Sequence, residues 1–181
     1  MEEITVRAVH DHEWREVREL RLRALQDEVA AIAFVDTFDA ASARPDEFWQ
    51  QRAAGASLEA GESATGRQFV AVTEAGAWVG AVTVLVERAG ERDFEGAEIL
   101  RSGGGIVGVY LDPAYRGRGI LQRMFAAALD WVRESGLDRA RLYVHVDNAR
   151  ARRAYERAGF AATGTAVSGS VGDELEMARE V

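Results

Sequence analysis

The chain has 181 residues, of which 48% are hydrophobic, so we expect a single globular domain over residues 1–181 with a sizeable buried core. Its 22 basic and 30 acidic residues give a formal net charge of −8, which argues against general binding to nucleic-acid phosphates. With no cysteine, no long apolar run and an acidic N-terminus, the sequence excludes disulfides and thiolate chemistry and predicts a cytoplasmic protein without a membrane span.

The first half of the chain predicts one strand and two helices ahead of a β-hairpin. Residues 3–9 alternate apolar and polar side chains, as in a strand with one solvated face. Residues 11–27 repeat apolar side chains at a helical period, and Pro45 followed by acids begins a second helix. Residues 67–88 contain two β-rich runs around a short connection with glycine, which is typical of a hairpin.

The second half predicts alternating strands and helices. A charged loop over residues 89–105 precedes an apolar strand over residues 106–113, and an apolar helix follows over residues 117–135. A strand over residues 140–148, a helix over residues 149–160 and two closing strands complete the chain. A strand, helix and strand in this order imply a parallel pair with a right-handed crossover, so the sheet is mixed, twisted and covered by helices.

The stretch DPAYRGRGILQRM, residues 112–124, joins the apolar strand to the apolar helix. The first amides of a helix lack intrahelical acceptors and, together with the helix dipole, form an anion site. Gly117 and Gly119 let a ligand approach the backbone, and Arg116 and Arg118 add positive charge. A pyrophosphate suits this site, whereas the Gly-Lys-Ser or Gly-Lys-Thr ending of a nucleotide P-loop is missing. A structural turn with incidental arginines and an Arg-Gly nucleic-acid segment are the alternatives.

Two segments resemble a known family. In GVYLDPAYRGRGILQRM, Arg116 and Gly119 occupy the first two positions of a Gln/Arg-x-x-Gly-x-Gly/Ala motif, and Leu121 departs from the third. The next strand and helix, LYVHVDNARARRAYERAGF, match at Asn148, Tyr155, Gly159 and Phe160. Together, these segments are similar to the acetyl-CoA-binding region of the GNAT superfamily of acyl-CoA N-acyltransferases.

This resemblance implies an α/β (α+β) fold of the GNAT type. Its sheet is mixed, mostly antiparallel and twisted, with six to seven strands, a central splayed parallel pair and flanking helices. The implied activity is acetyl transfer from acetyl-CoA, as co-substrate, to a primary amine by direct attack in a ternary complex. The acceptor is a small molecule or a peptide, no nucleic acid or membrane partner is expected, and a homodimer is compatible with the family. No metal is expected, because His10, His12 and His145 form no ligand set.

The resemblance also implies roles for individual residues. Tyr155 is the expected general acid for the departing thiolate, and Glu98, in the loop before the strand, is the candidate base. Backbone groups of Val109 and Leu111 bind the pantetheine arm, while Asn148 both caps its helix and contacts CoA. The residues expected to bind the cofactor are Val109, Tyr110, Leu111, Arg116, Gly117, Arg118, Gly119, Ile120, Leu121 and Asn148.

Several alternatives remain open at the acceptor side. A non-catalytic acyl-CoA-binding or sensing domain would account for the missing acid at residues 103–105 and for Leu121. His145, Glu174, Glu176 or a chain of water molecules are alternatives to Glu98 as the base. The N-terminal helices and the 89–105 loop are expected to hold the acceptor. The candidate walls of that pocket are Phe34, Phe38, Phe48 and Trp49.

Overall fold

Seven strands form one sheet in the computed structural model, which describes residues 3–181. The strands are β1 (Ile4–Ala8), β2 (Gly66–Thr73), β3 (Trp78–Glu87), β4 (Gly103–Leu111), β5 (Arg139–His145), β6 (Ala161–Gly169) and β7 (Gly172–Glu180). Their order across the sheet is β1-β2-β3-β4-β5-β7-β6, and all neighbours are antiparallel except β4 and β5. The predicted mixed sheet with one parallel pair is therefore confirmed.

Helices cover both faces of this sheet. In the described residues they are α1 (Trp14–Ala24), α2 (Ala30–Ala33), α3 (Phe38–Ser42), α4 (Asp46–Gly55), α5 (Ile120–Glu134) and α6 (Ala149–Arg157). The apolar stripe of α5 packs with Val82 and Val84 in one buried cluster, whereas α1 and α4 pack against Val70 and Ala81 in another. Alternate residues of the central strands therefore serve opposite cores. Within the described residues, no helix combines the length and hydropathy that a membrane span requires.

The glycine run at residues 103–105 belongs to a strand, so its assignment to a loop is wrong. A Cβ atom on Gly104 would lie 2.6 Å from a methyl group of Val132 in α5, and one on Gly105 would collide with the Glu87 carboxylate. Only glycine lets β4 lie this close to both neighbours. The run therefore serves packing at the start of β4.

The helix that follows β4 begins at Ile120, three residues later than predicted. Gly117 and Gly119 adopt φ values of +77° and +73°, in the left-handed region. Such residues cannot continue a right-handed helix, so the chain turns twice before α5 begins. These turns present the backbone of residues 117–122 at the carboxyl end of β4.

The parallel strands β4 and β5 pair over a short distance only. Their register comprises Gly104 with Ala140 and Gly105 with Arg141, after which the strands separate. A register shift in β4 opposite β3 coincides with Gly108, whose φ is +63°. The second half of β4 consequently has an edge without a β5 partner, which confirms the predicted splay.

Candidate active site

A groove of about 360 Å³ opens where β4 and β5 diverge. Its floor is the second half of β4, one end is the turn before α5, and one wall is α6. Ten of the twelve predicted site residues line it. They are Val109, Tyr110, Leu111, Arg116, Gly117, Gly119, Ile120, Leu121, Asn148 and Tyr155.

The turn before α5 presents unpaired backbone N–H groups to this groove. Among the described residues, the N–H groups of residues 117–122 have no hydrogen-bond acceptor, and the first capping bond is from Arg123 N–H to the Gly119 carbonyl. Positive partial charge at the helix N-terminus adds to these donors. Leu121 packs its side chain against the core, so the departure from the motif leaves its N–H available. Unpaired N–H donors at a helix N-terminus are the arrangement that suits an anion.

The Arg116 guanidinium shapes the turn through protein contacts. Its Nε donates to the Leu111 carbonyl at 2.9 Å, and its Nη2 pairs with Asp27 at 2.5 Å. Burial opposes ionisation of Asp27, but hydrogen bonds from Val29 and Arg116 hold the pKa of that carboxyl below its usual range. Arg116 therefore ties the end of β4 to the segment after α1 while it lines the groove.

Asn148, which directly precedes α6, and Tyr155, within α6, both line the groove. The Asn148 side chain accepts a hydrogen bond from Ala151 N–H at 3.1 Å and caps α6, as expected. The Tyr155 ring packs edge-on against Phe125. Burial raises the pKa of Tyr155 to about 12, so its hydroxyl keeps its proton at neutral pH.

A second cavity of about 270 Å³ adjoins the groove on the other side of this point. Both are lined by Ala33, Phe34, Val109, Asn148 and Tyr155, which form the junction between them. The remaining walls come from α1, α2, α4, the strands β3, β4, β5 and β7, and the segment between β3 and β4. A molecule in the second cavity would thus meet the inner end of a molecule in the groove.

Charged side chains of both signs line the second cavity. Arg21 and Arg52 come from α1 and α4, and Glu95 and Glu174 come from the β3–β4 segment and β7. Burial raises the pKa of Glu174, and the nearby Glu95 carboxylate adds to that rise. Burial lowers the pKa of Arg21 to about 10, with the neighbouring Arg52 contributing. Burial therefore disfavours the charged form of an acid and of a base on the walls of this cavity.

A buried ion-pair cluster fixes the segment between β3 and β4 beside this cavity. Arg141 in β5 donates to both oxygens of Glu87, at 2.6 and 2.9 Å, and to Asp93 at 2.8 Å. Because Asp93 precedes Phe94 and Glu95, which line the second cavity, the cluster holds both in place. Sequence reasoning missed Arg141, since one arginine in an apolar strand does not reveal carboxylates 48 and 54 residues away.

Two predicted site residues lie outside the groove. Glu98, the predicted base, is exposed in the segment between β3 and β4 and lines neither cavity. Arg118 is exposed, and its guanidinium lies over the Tyr115 ring, 5.2 Å from the centroid. Of the candidate pocket walls, Phe34 lines both cavities, whereas Trp49 is fully buried in the core. In residues 3–181, no group of three or more His, Asp or Glu side chains could hold a metal ion.

Comparison with known proteins agrees with this geometry. A family model described as "Acetyltransferase (GNAT) family" matches residues 14–160. The chain belongs to this family. A mycothiol acetyltransferase from Beutenbergia cavernae is 48% identical over 50 residues, which are 28% of this chain and 17% of that protein. The matches span less than a third of the curated relatives' length.

Solved structures of the GNAT family share the fold at low sequence identity. A GNAT acetyltransferase from Streptococcus pneumoniae superposes with a TM-score of 0.73 at 16% identity, covering 99% of this chain and 100% of that one. A phosphinothricin acetyltransferase from Sinorhizobium meliloti, solved with acetyl-CoA, gives a TM-score of 0.71 at 16% identity, covering 98% and 88%. These likenesses establish the architecture of the sheet and helices.

Proposed function

We propose that the protein is an acetyl-CoA-dependent N-acetyltransferase that acts on a primary amine in a ternary complex. The observation that supports this most strongly is the meeting of two cavities at Val109, Asn148 and Tyr155. One cavity offers unpaired amides for an anion, and the other offers charged groups for a second substrate. Direct transfer between two bound molecules requires this arrangement.

Acetyl-CoA would bind along the groove. Its pyrophosphate would accept hydrogen bonds from the N–H groups of residues 117–122. Its pantetheine arm would add to the unpaired edge of β4, with backbone groups of Val109 and Leu111 as partners. A neighbour of the same fold, the phosphinothricin acetyltransferase, was solved with acetyl-CoA, which supports acetyl-CoA as the ligand. Arg116 would act by holding the turn and Asn148 by capping α6 beside the thioester.

The chemistry follows from the groups at the junction. In place of Glu98, we propose Glu174 as the base that takes the first proton from the substrate ammonium, directly or through water. The amine nitrogen then bonds to the acetyl carbon while a backbone N–H near Val109 stabilises the oxyanion. As the C–S bond breaks, Tyr155 gives its proton to the CoA thiolate. The second amine proton restores the tyrosine through solvent.

Release of CoA from acetyl-CoA with a panel of primary amines tests this function. Tyr155→Phe should lower kcat by about 10²-fold or more, because the thiolate loses its proton donor. The same variant should keep the rise in melting temperature that acetyl-CoA produces, since the phenyl ring still packs on Phe125. Acetyl-CoA binding without CoA release for any amine would contradict the proposal and point to a sensing domain.

A further inference from the structure

The second cavity contains two arginines that the groove does not use. Arg21 in α1 and Arg52 in α4 both line the cavity, and neither lines the groove. Both also border a small recess with Thr83 and Gly108, which places them over β3 and β4. They therefore lie at the acceptor's end of the junction rather than at the cofactor's.

Neither arginine is neutralised by the protein. Within residues 3–181, the side chains of Arg21 and Arg52 form no hydrogen bond and no ion pair, and the Nε of Arg21 is buried without an acceptor. The neighbouring carboxylate, Asp36, is already engaged by Arg44 through two bonds of 2.7 and 3.2 Å. The Arg21 guanidinium lies over the Phe34 ring, 4.5 Å from its centroid. Three arginines thus lie near one aspartate, which pairs with Arg44, in a chain whose net charge is −8.

The other wall of the cavity has acidic side chains with buried, unpaired oxygens. Glu95 Oε1 and Glu174 Oε2 are both buried without a hydrogen-bond partner among the described residues. The second Glu95 oxygen accepts from Ser170 N–H at 3.2 Å and from its hydroxyl at 2.8 Å, so this carboxylate has a fixed position. Buried charges are normally paired, and a ligand with complementary charges would pair both walls at once.

We propose that the acceptor is an amine that also carries an oxyanion, a carboxylate or a phosphate, which Arg21 and Arg52 bind. Its ammonium group would then face Glu95 and Glu174 near the thioester. This inference rests on the proposed acetyl transfer and adds the class of substrate to it. Guanidinium groups suit both oxyanions, because their planar donors match carboxylate and phosphate oxygens. A monoamine without an oxyanion would leave the arginines unpaired.

Matched pairs of amines test the inference by binding, without requiring turnover. The probes are leucine against leucinamide and O-phosphoethanolamine against ethanolamine, added to the CoA-saturated protein while thermal unfolding is followed. The member that carries the oxyanion should raise the melting temperature more than its counterpart that lacks one. Arg21→Gln and Arg52→Gln should each remove that difference, and Arg52→Lys should keep most of it. Arg18→Gln, one turn earlier in α1 and outside both cavities, is the matched control and should behave as wild type.

Measuring CoA release distinguishes an error in this inference from an error in the proposed function. We expect kcat/KM to favour the member with the oxyanion roughly ten- to a hundredfold, since the member without it loses the charged hydrogen bonds to the arginines. Equal shifts for both members, no shift for any probe, or a difference that survives both glutamine variants would overturn the inference. In each of those cases, CoA release with amines that lack an oxyanion would still support the proposed function. Arginine-dependent binding without CoA release would uphold the anion site and count against the proposed function.

Discussion

Glu174 is a residue whose proposed role in catalysis opposes the stability of the fold. It is buried beside Glu95, and one of its oxygens has no partner among the described residues. Both burial and the neighbouring carboxylate raise its pKa. The folded protein therefore holds a proton that the unfolded chain releases more readily, and this group's contribution to stability falls as pH rises through that range.

Glu174→Gln should consequently raise stability while lowering activity. The free energy of unfolding should increase at neutral pH, where the charge is lost, and change little at pH values below the unfolded pKa. The kcat/KM value should fall about 10²-fold, and the acid limb of its pH profile, which rises with deprotonation of the base, should be lost. Urea unfolding and CoA release measure the two effects. Glu98→Gln, on an exposed loop residue, should change neither, and a loss of activity in that variant instead would restore Glu98 as the base.

For single residues, the sequence predicts roles that involve neighbours in the chain, such as helix capping. It does not predict roles that depend on partners far away in the chain. Asn148 was predicted as a cap because capping involves residues three apart, as the bond to Ala151 confirms. The proximity of Arg21 to Arg52, and of Glu95 to Glu174, requires the tertiary fold to bring separate elements together. Glu98 is predicted as the base only from its position before β4 in the chain, and that position does not indicate whether its side chain is exposed.

Among the structural elements, the turn before α5 owes its shape to glycines in the left-handed region. Gly119 has a φ of +73°, and a Cβ there would meet nothing within 4 Å, so alanine would be strained only in its backbone. Gly136, after the end of α5, matches it closely, with a φ of +74° and open space around it. The two positions differ in that Gly119 lines the groove and Gly136 does not.

Alanine substitutions at these two glycines separate strain from binding. Each should reduce the free energy of unfolding by about 1–2 kcal/mol, because an L-residue pays that cost in the left-handed region. Only Gly119→Ala should also weaken acetyl-CoA binding, since relaxation of its φ redirects the amides of residues 117–122. Urea unfolding and calorimetric titration with acetyl-CoA measure the two quantities. Equal acetyl-CoA affinity in both variants would contradict the role of the turn as the anion site.

Helix α5 and strand β4 show where the spacing of apolar residues predicts the structure and where it does not. The stripe of Ile120, Met124, Ala128 and Val132 is buried as its helical spacing predicts. The start of β4 lies within the charged loop that the sequence predicts over residues 89–105, whereas in the structure Gly104 makes room for Val132. A close contact between one residue of a strand and one residue of a helix produces no repeating pattern in either sequence, so the sequence does not predict it.

For the whole molecule, the splayed pair divides the sheet into two parts with little direct pairing. Strands β1–β4 and strands β5–β7 are each antiparallel, and only two residue pairs join β4 to β5. The ion pair between Glu87 and Arg141 and the cluster around α5 also connect the parts. A ligand that pairs with the free edge of β4 would act as an additional strand at this seam.

Hydrogen exchange tests that arrangement across the sheet. Saturating acetyl-CoA, at about a hundred times its Kd, should stabilise the fold by ~2.7 kcal/mol and slow all amides that exchange by global unfolding. Beyond this uniform effect, N–H groups of residues 106–111 that face away from β3 should gain extra protection, because the pantetheine arm pairs with them. Amides of β1, at the far edge, should show the uniform effect alone and serve as the internal control. Extra protection confined to α6, or absent from β4, would show that the cofactor does not extend the sheet.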